Sequence, residues 1–150
     1  LMGSFYICSA AAPHFRAQGH GAFVHMTSTS GLHGNVGQAN YATGKMGIVG
    51  LTKTVAKEWG NLGIRCNAVA FGFIDTRLTQ SKNEGEVIEV EGQKIGLGIP
   101  DHLRGMAMLT IPLGRAATPE EAAGGILLMA SPLAGYITGH TLEVTGGAGI

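Results

Sequence analysis

The sequence has few charged residues, and neither sign of charge dominates. Charged residues make up 13% of the 150, and ten basic residues balance ten acidic ones. A balanced charge without a basic stripe argues against a nucleic acid or an anionic membrane surface as the partner. No apolar run in the sequence reaches the length of a membrane span. We therefore expect neither a nucleic-acid partner nor a membrane partner.

Cysteine is scarce, and no metal-ligand spacing is present. Cys8 and Cys66 each lie in an apolar segment, which predicts buried free thiols in a reducing cytoplasm. The six histidines are dispersed, so we predict no metal site. His25 lies in an apolar, strand-like run, and we expect it to be a hydrogen-bonded core histidine.

Apolar residues and glycine are the abundant classes. Apolar residues make up 45% of the sequence, and 25 residues are glycine. The glycines are scattered between apolar segments, which indicates tight turns in a folded chain rather than a repeat or a disordered segment. The length suits one domain with a single core.

Helical and strand-like segments alternate along the chain. The segments that we predict as helices have apolar residues at helical spacing, and the predicted strands are short apolar or β-branched runs. The order is helix, strand, helix, strand, two helices and strand, which is typical of a parallel α/β sheet. The bounds are Gly3–Gln18, Ala22–Thr27, Tyr41–Asn61, Ile64–Ala70, Asp101–Leu109, Pro119–Ala130 with Thr118 as its N-cap, and Thr141–Val144. A loop of small residues is expected from Ser28 to Asn40, and a small hairpin or exposed excursion from Glu86 to Lys94.

Tyr41 and Lys45 are four residues apart, so they share one face of the predicted helix. A cation beside a phenol favours the phenolate, which would let Tyr41 exchange a proton with a ketone or alcohol oxygen. Such pairs are also common on exposed helices. Ser28 directly follows a predicted strand, where ligands bind in open α/β sheets. Serine often only caps a turn there, but together with Tyr41 and Lys45 the catalytic interpretation is favoured.

Six stretches of the chain match a known pattern, and together they cover nearly all of it. They are GAFVHMTS from Gly21, GLHGNVGQANYATGK from Gly31, GLTKTVAKEWG from Gly50, IRCNAVAFGFIDT from Ile64, IPLGRAATPEE from Ile111 and YITGHTLEVTGG from Tyr136. With these motifs the chain resembles the short-chain dehydrogenase/reductase family, and within it the 3-oxoacyl-[acyl-carrier-protein] reductase type. The resemblance implies that Ser28, Tyr41 and Lys45 are catalytic.

The resemblance also implies a nicotinamide cofactor, NADP or NAD. Tyr41 and Lys45 would contact it, as would Gly72, Ile74 and Thr76 in the segment that follows the second strand. Asn67 corresponds to a structural position that joins backbone groups. The sequence departs from the family pattern at Phe71, Gly44 and Thr145, where proline, serine and aspartate are common.

The implied fold is the C-terminal half of a Rossmann-type doubly wound parallel sheet, with three strands and their flanking helices. Residues 1–150 would be the C-terminal catalytic part of a single domain. The glycine-rich turn that binds the dinucleotide phosphates is not in the sequence. The first strand would then be an exposed edge. We therefore expect these residues to be part of a longer gene product.

The implied function is hydride transfer between NAD(P) and a ketone or secondary alcohol, in particular a 3-oxoacyl thioester of fatty acid biosynthesis. The resemblance further implies a cytoplasmic homo-oligomer, a dimer or tetramer. The alternative is a non-catalytic fragment or oligomerisation module, since the phosphate-binding half is missing.

Overall fold

A computed structural model describes residues 1–83 and 86–149. In chain order its helices and strands are α1 (Met2–Gln18), β1 (Gly21–Ser28), α2 (Thr29–His33), α3 (Ala39–Trp59), β2 (Ile64–Phe71), β3 (Val87–Val90), β4 (Gln93–Gly96), α4 (Asp101–Leu109), α5 (Pro119–Ala130) and β5 (Thr141–Val144). The chain forms two compact units. The first comprises residues 1–71 and 124–144, and the second comprises residues 72–123 and those from 145 on.

The first unit contains a parallel sheet with the strand order β1-β2-β5. Ser28 at the end of β1 lies opposite Phe71 at the end of β2, and Phe71 lies opposite Val144 of β5. The predicted α/β class with a three-stranded parallel sheet is confirmed. β2 is the central strand, and from Cys66 to Ala70 it is buried without interruption, as expected for a parallel strand covered on both faces.

The core of the first unit joins α1 and α3 to the sheet. Its buried residues include Phe23 of β1, Val55 of α3 and Ile64 of β2. The rings of Phe15 and Phe23 lie 4.8 Å apart and hold α1 against β1. Because β1 and β2 are parallel, their carboxyl ends lie at the same edge of the sheet, which packs against this core.

His25 is the centre of a buried polar network in this core. Its Nδ1 lies 2.9 Å from Oγ1 of Thr52, and its Nε2 lies 3.3 Å from Sγ of Cys8. The Thr52 hydroxyl donates its hydrogen to the carbonyl of Ile48, so it must accept from His25. The Cys8 thiol then donates to Nε2 of a neutral imidazole. Burial lowers the pKa of His25 and raises that of Cys8.

The expected core histidine and the buried free thiols at Cys8 and Cys66 are thus confirmed. Burial, with a smaller contribution from Cys8, raises the pKa of Cys66 to about 12, so this thiol is neutral.

Asn67 has the structural role that the resemblance implied. Its side-chain amide donates to the carbonyl of Ile137 over 2.8 Å, and its Oδ1 accepts from the amide of His140 at 3.0 Å. The residue is fully buried. These two bonds attach the segment that leads into β5 to the central strand.

Between β1 and α3 the structure differs from the sequence prediction in three ways. Ser28 is the last residue of β1 rather than the residue after it, and the next five residues form α2 instead of a loop. The cause is a cap, because the Ser28 hydroxyl accepts a hydrogen bond from the amide of Ser30 and starts the short helix. α3 begins at Ala39, two residues earlier than predicted.

The second unit contains the predicted hairpin, which is formed by the antiparallel strands β3 and β4. It also contains the start of α5, which begins with a capping box. The Thr118 hydroxyl accepts from the amide of Glu121, and the Glu121 carboxylate accepts from the amide of Thr118. Arg115 binds the same carboxylate with two nitrogens, at 2.6 and 2.7 Å.

Within the described part of the chain, no helix is long and apolar enough to cross a membrane. In the same residues, no group of three or more His, Cys, Asp or Glu side chains is arranged to hold a metal ion.

Candidate active site

Ser28 is placed at the carboxyl end of β1, as the sequence predicted. Its backbone is extended, and its hydroxyl oxygen accepts a bond of 3.2 Å from the amide of Ser30. This bond uses the oxygen and leaves the hydroxyl hydrogen for another acceptor. Among the described residues, this hydroxyl donates no hydrogen bond. Ser28 therefore both caps α2 and presents a hydrogen-bond donor at the end of the strand.

Tyr41 lies in the first turn of α3. The Asn40 side-chain oxygen accepts from the Tyr41 amide at 2.8 Å and satisfies one of the amides at the start of the helix. The Tyr41 side chain is 45% exposed. Its phenol makes no hydrogen bond with the described part of the chain, so it can reach a ligand.

Lys45 follows one turn later on the same helix. Its Nζ lies 5.6 Å from the centre of the Tyr41 ring and donates to the carbonyl of Met26 over 3.1 Å. The shared helix face that the spacing predicted is therefore confirmed. Nζ has two further N–H groups that no described residue accepts.

The main chain of Lys45 is also attached to β1. The hydroxyl of Thr27 donates to the carbonyl of Lys45. The structure thus brings the strand end that carries Ser28 together with the helix turn that carries Lys45.

A contact between a histidine and a carboxylate near the same end of the sheet was not predicted. His33 at the end of α2 lies 3.4 Å from the Glu143 carboxylate of β5, a strand whose last residue lies opposite Phe71. The two residues are 110 positions apart, so no local pattern in the sequence indicates the pair. Both side chains are exposed, which makes the pair weak by itself.

Gly72, Ile74 and Thr76 belong to the second unit. A Cβ atom on Gly72 would lie 3.1 Å from Cα of Thr145, so the two backbones approach closely there. Ile74 forms a parallel bridge with Ala117. The Thr76 amide and hydroxyl both lie within hydrogen-bond distance of the Thr79 hydroxyl. This segment is therefore an ordered loop, and its contact with a cofactor stays a prediction.

A cavity of about 790 Å³ lies at the other end of the strands. It is lined by the first residues of β1 and β2, including Gly21 and Ile64. Ser28, Tyr41 and Lys45 do not line it. Because ligands of open α/β sheets bind at the carboxyl ends of the strands, we place the candidate active site at Ser28 rather than in this cavity.

Known oxidoreductases are similar to this chain along nearly its whole length. The family model described as enoyl-(acyl carrier protein) reductase matches residues 1–149. The 3-oxoacyl-[acyl-carrier-protein] reductase FabG of Thermotoga maritima is 39% identical over 147 residues, which are 98% of this chain and 53% of that protein. The (3R)-3-hydroxyacyl-CoA dehydrogenase of Canis lupus familiaris is 41% identical over 148 residues, 98% of this chain and 51% of that protein.

Solved structures show the same likeness. A crystal structure of a protein assigned as a betaketoacyl-ACP reductase superposes with a TM-score of 0.76 at 32% identity, and covers 98% of this chain and 54% of its own. The chain spans about half the length of the curated relatives it matches.

Proposed function

The chain belongs to the short-chain dehydrogenase/reductase family, and we propose that its protein is an oxidoreductase that transfers hydride between a nicotinamide cofactor and a ketone or secondary alcohol. The observation that carries this proposal is the position of the Lys45 ammonium beside the exposed Tyr41 ring, next to the strand end that carries Ser28. An exposed phenol next to a fixed cation suits proton transfer to a developing alkoxide.

Each side chain has a distinct part in the proposed reduction. The Ser28 hydroxyl donates a hydrogen bond to the carbonyl oxygen and stabilises the negative charge that develops there. Tyr41 transfers its phenolic proton to that oxygen. Lys45 stabilises the phenolate that is left, because its charge is held within 6 Å of the ring. In the direction of alcohol oxidation, the phenolate removes the same proton.

The Lys45 ammonium fits the ribose of a nicotinamide cofactor, because its two unused N–H groups suit hydroxyl acceptors. The contact of the Gly72–Thr76 segment with the carboxamide rests on the family resemblance. When bound, the cofactor supplies the hydride that adds to the carbonyl carbon. We propose NADP or NAD for this role, with Tyr41, Lys45, Gly72, Ile74 and Thr76 as its contacts.

For the substrate we propose a 3-oxoacyl thioester or its 3-hydroxy product. The Thermotoga maritima relative is named for a 3-oxoacyl-[acyl-carrier-protein] substrate and the canine relative for a 3-hydroxyacyl-CoA. A 3-oxoacyl group is the ketone and a 3-hydroxyacyl group is the alcohol of one oxidation–reduction reaction. The two names differ in the thioester carrier, which is acyl carrier protein in one and CoA in the other. We also propose a place in fatty acid biosynthesis and in the cytoplasm, and the free thiols at Cys8 and Cys66 are compatible with a reducing compartment.

A homo-oligomer is part of the proposal. Large apolar residues of α1 are between 48% and 65% exposed, among them Phe5, Tyr6 and Ile7, and Met46 of α3 is 49% exposed. Exposed apolar surface of this kind suits a contact with another chain. They also support the second candidate function, an oligomerisation module without catalysis. The two candidates differ in whether the protein has turnover.

A turnover assay on the full natural protein tests the proposed function. The protein is mixed with NADPH or NADH and with acetoacetyl-CoA, a β-keto ester or a simple cyclic ketone, and absorbance at the nicotinamide band is followed. Ketone-dependent cofactor oxidation is the expected result. A folded oligomer without turnover on any ketone with either cofactor would favour the oligomerisation module.

A further inference from the structure

The helix turn that carries Lys45 is attached to β1 through a buried hydroxyl. Oγ1 of Thr27 donates a hydrogen bond of 2.7 Å to the main-chain carbonyl of Lys45, and Thr27 is only 2% exposed. A carbonyl inside a helix already accepts from the amide four residues later. The bond from Thr27 therefore adds nothing that α3 needs as a helix, and its effect is to join the helix to the strand.

Gly31 makes a second contact with the same turn. A Cβ atom at this position would lie 2.8 Å from Cβ of Lys45 and 3.0 Å from both the Lys45 carbonyl carbon and the Met46 amide nitrogen. Two of these three atoms belong to the backbone, which cannot move aside as a flexible side chain can. Only glycine lets α2 approach α3 this closely.

The side chain of Lys45 is fixed from the same strand. Its Nζ donates to the carbonyl of Met26, which is the residue before Thr27. A lysine side chain has large rotamer freedom, so holding both its main chain and its ammonium removes much of that freedom before a substrate arrives.

We propose that Thr27 and Gly31 are positioning residues that set the separation between the Ser28 hydroxyl and the Tyr41–Lys45 pair. They flank Ser28 in the sequence, and both contact the Lys45 turn. This inference rests on the proposed function, because the separation matters only if the three side chains act on one carbonyl oxygen. We propose no contact between the substrate and either Thr27 or Gly31.

Four variants of the full natural protein test the inference. Thr27→Val keeps the branched shape of the side chain and loses the hydroxyl donor, whereas Thr27→Ser keeps the hydroxyl donor. Gly31→Ala adds a methyl group, for which there is no space between Gly31 and the Lys45 turn. Thr52→Val is the matched control, since Thr52 is fully buried in α3 and donates to the carbonyl of Ile48 over 2.8 Å, but it holds His25 instead of the Lys45 turn.

Misplacement of catalytic groups lowers turnover more than binding. For Thr27→Val we expect kcat to fall about tenfold with KM within about twofold of wild type, and Thr27→Ser to restore most of the loss. Gly31→Ala should lower kcat about 100-fold. Thr52→Val should lower the unfolding midpoint and leave kcat within about twofold.

Amide hydrogen exchange separates this inference from the proposed function. Thr27→Val and Gly31→Ala should speed exchange in the turn from Gly44 to Val49, and Thr52→Val should not. Faster exchange there in a protein that turns over no ketone would uphold the attachment and contradict the proposed function. Unchanged exchange in that turn, or a Thr27→Val enzyme with wild-type kcat, would overturn the inference.

Discussion

The ammonium of Lys45 lies 5.6 Å from the centre of the Tyr41 ring, one helical turn along α3. The pair places a positive charge beside an exposed phenol, and the ammonium donates a hydrogen bond to the carbonyl of Met26. The proposed proton transfer depends on this charge, because it stabilises the phenolate in the active site.

Removal of the Lys45 charge should therefore lower turnover strongly. Lys45→Met keeps the apolar stem and loses the ammonium, and we expect kcat to fall at least about 100-fold. The KM for the cofactor should rise as well, since the two N–H groups that we propose to bind the ribose are lost. Steady-state kinetics at saturating ketone measure both effects. Lys53→Met, on an exposed position of the same helix, is the control and should keep wild-type kinetics.

The order of helices and strands could be predicted because most segments carry their own signal. β2 reads as a short run of mostly apolar residues because it is the buried central strand, and Thr118, Pro119 and Glu121 mark the start of α5. α2 has no such signal. It is five residues of TSGLH without apolar periodicity, and it depends on the Ser28 cap for its start.

The candidate site was predictable only in part. The spacing of Tyr41 and Lys45 indicates a shared helix face, and the position of Ser28 directly after a predicted strand adds the hydroxyl. The contacts that connect these residues could not be predicted, since Thr27 and Lys45 are 18 positions apart and His33 and Glu143 are 110 apart. Such pairs depend on the strand register, which no short window of sequence encodes.

The buried histidine should make stability depend on pH. Burial lowers the pKa of His25 from its ordinary value of 6.5, so below that pH the unfolded chain binds a proton that the folded chain resists. The free energy of unfolding should be constant above about pH 7 and fall as the pH drops below about 6.5. Urea unfolding at a series of pH values measures this.

The variant His25→Gln isolates the contribution of this imidazole. It should be less stable at neutral pH but show a flatter decline toward acid, because the group that resists protonation is gone. His102→Gln, at an exposed position of α4, should retain the wild-type slope. A His25→Gln protein with the full wild-type decline would show that other groups cause it.

Arg65 should stabilise the end of α5. Its guanidinium donates to the carbonyls of Met129, Ala130, Ser131 and Ile137, at 3.0 to 3.4 Å. Lysine cannot reproduce this planar fork, so Arg65→Lys should lower the free energy of unfolding by about 1–3 kcal/mol. Chemical denaturation measures the change. Arg77→Lys, at an exposed ion pair, should change it by less than about 0.5 kcal/mol, and equal effects would refute this role.

The capping box of α5 should contribute to acid sensitivity. The hydrogen bond from Arg115, followed by that from the Thr118 amide, lowers the pKa of Glu121 from 4.5 to about 2. A carboxyl with a lowered pKa adds stability above pH 4.5 that is lost as the pH falls toward 2. Thermal unfolding at low salt should show a smaller acid-induced fall in Tm for Glu121→Gln than for wild type. Glu120→Gln should behave as wild type.

Tyr41 is the proposed proton donor and acceptor of a ketone reductase. The measurement is kcat for ketone-dependent NADPH or NADH oxidation by the full natural protein, compared with Tyr41→Phe, which removes only the hydroxyl. Tyr136→Phe, a fully exposed tyrosine, is the matched control. We expect kcat to fall at least about 100-fold for Tyr41→Phe and to stay unchanged for Tyr136→Phe. A Tyr41→Phe enzyme with wild-type turnover would contradict the proposed role of Tyr41.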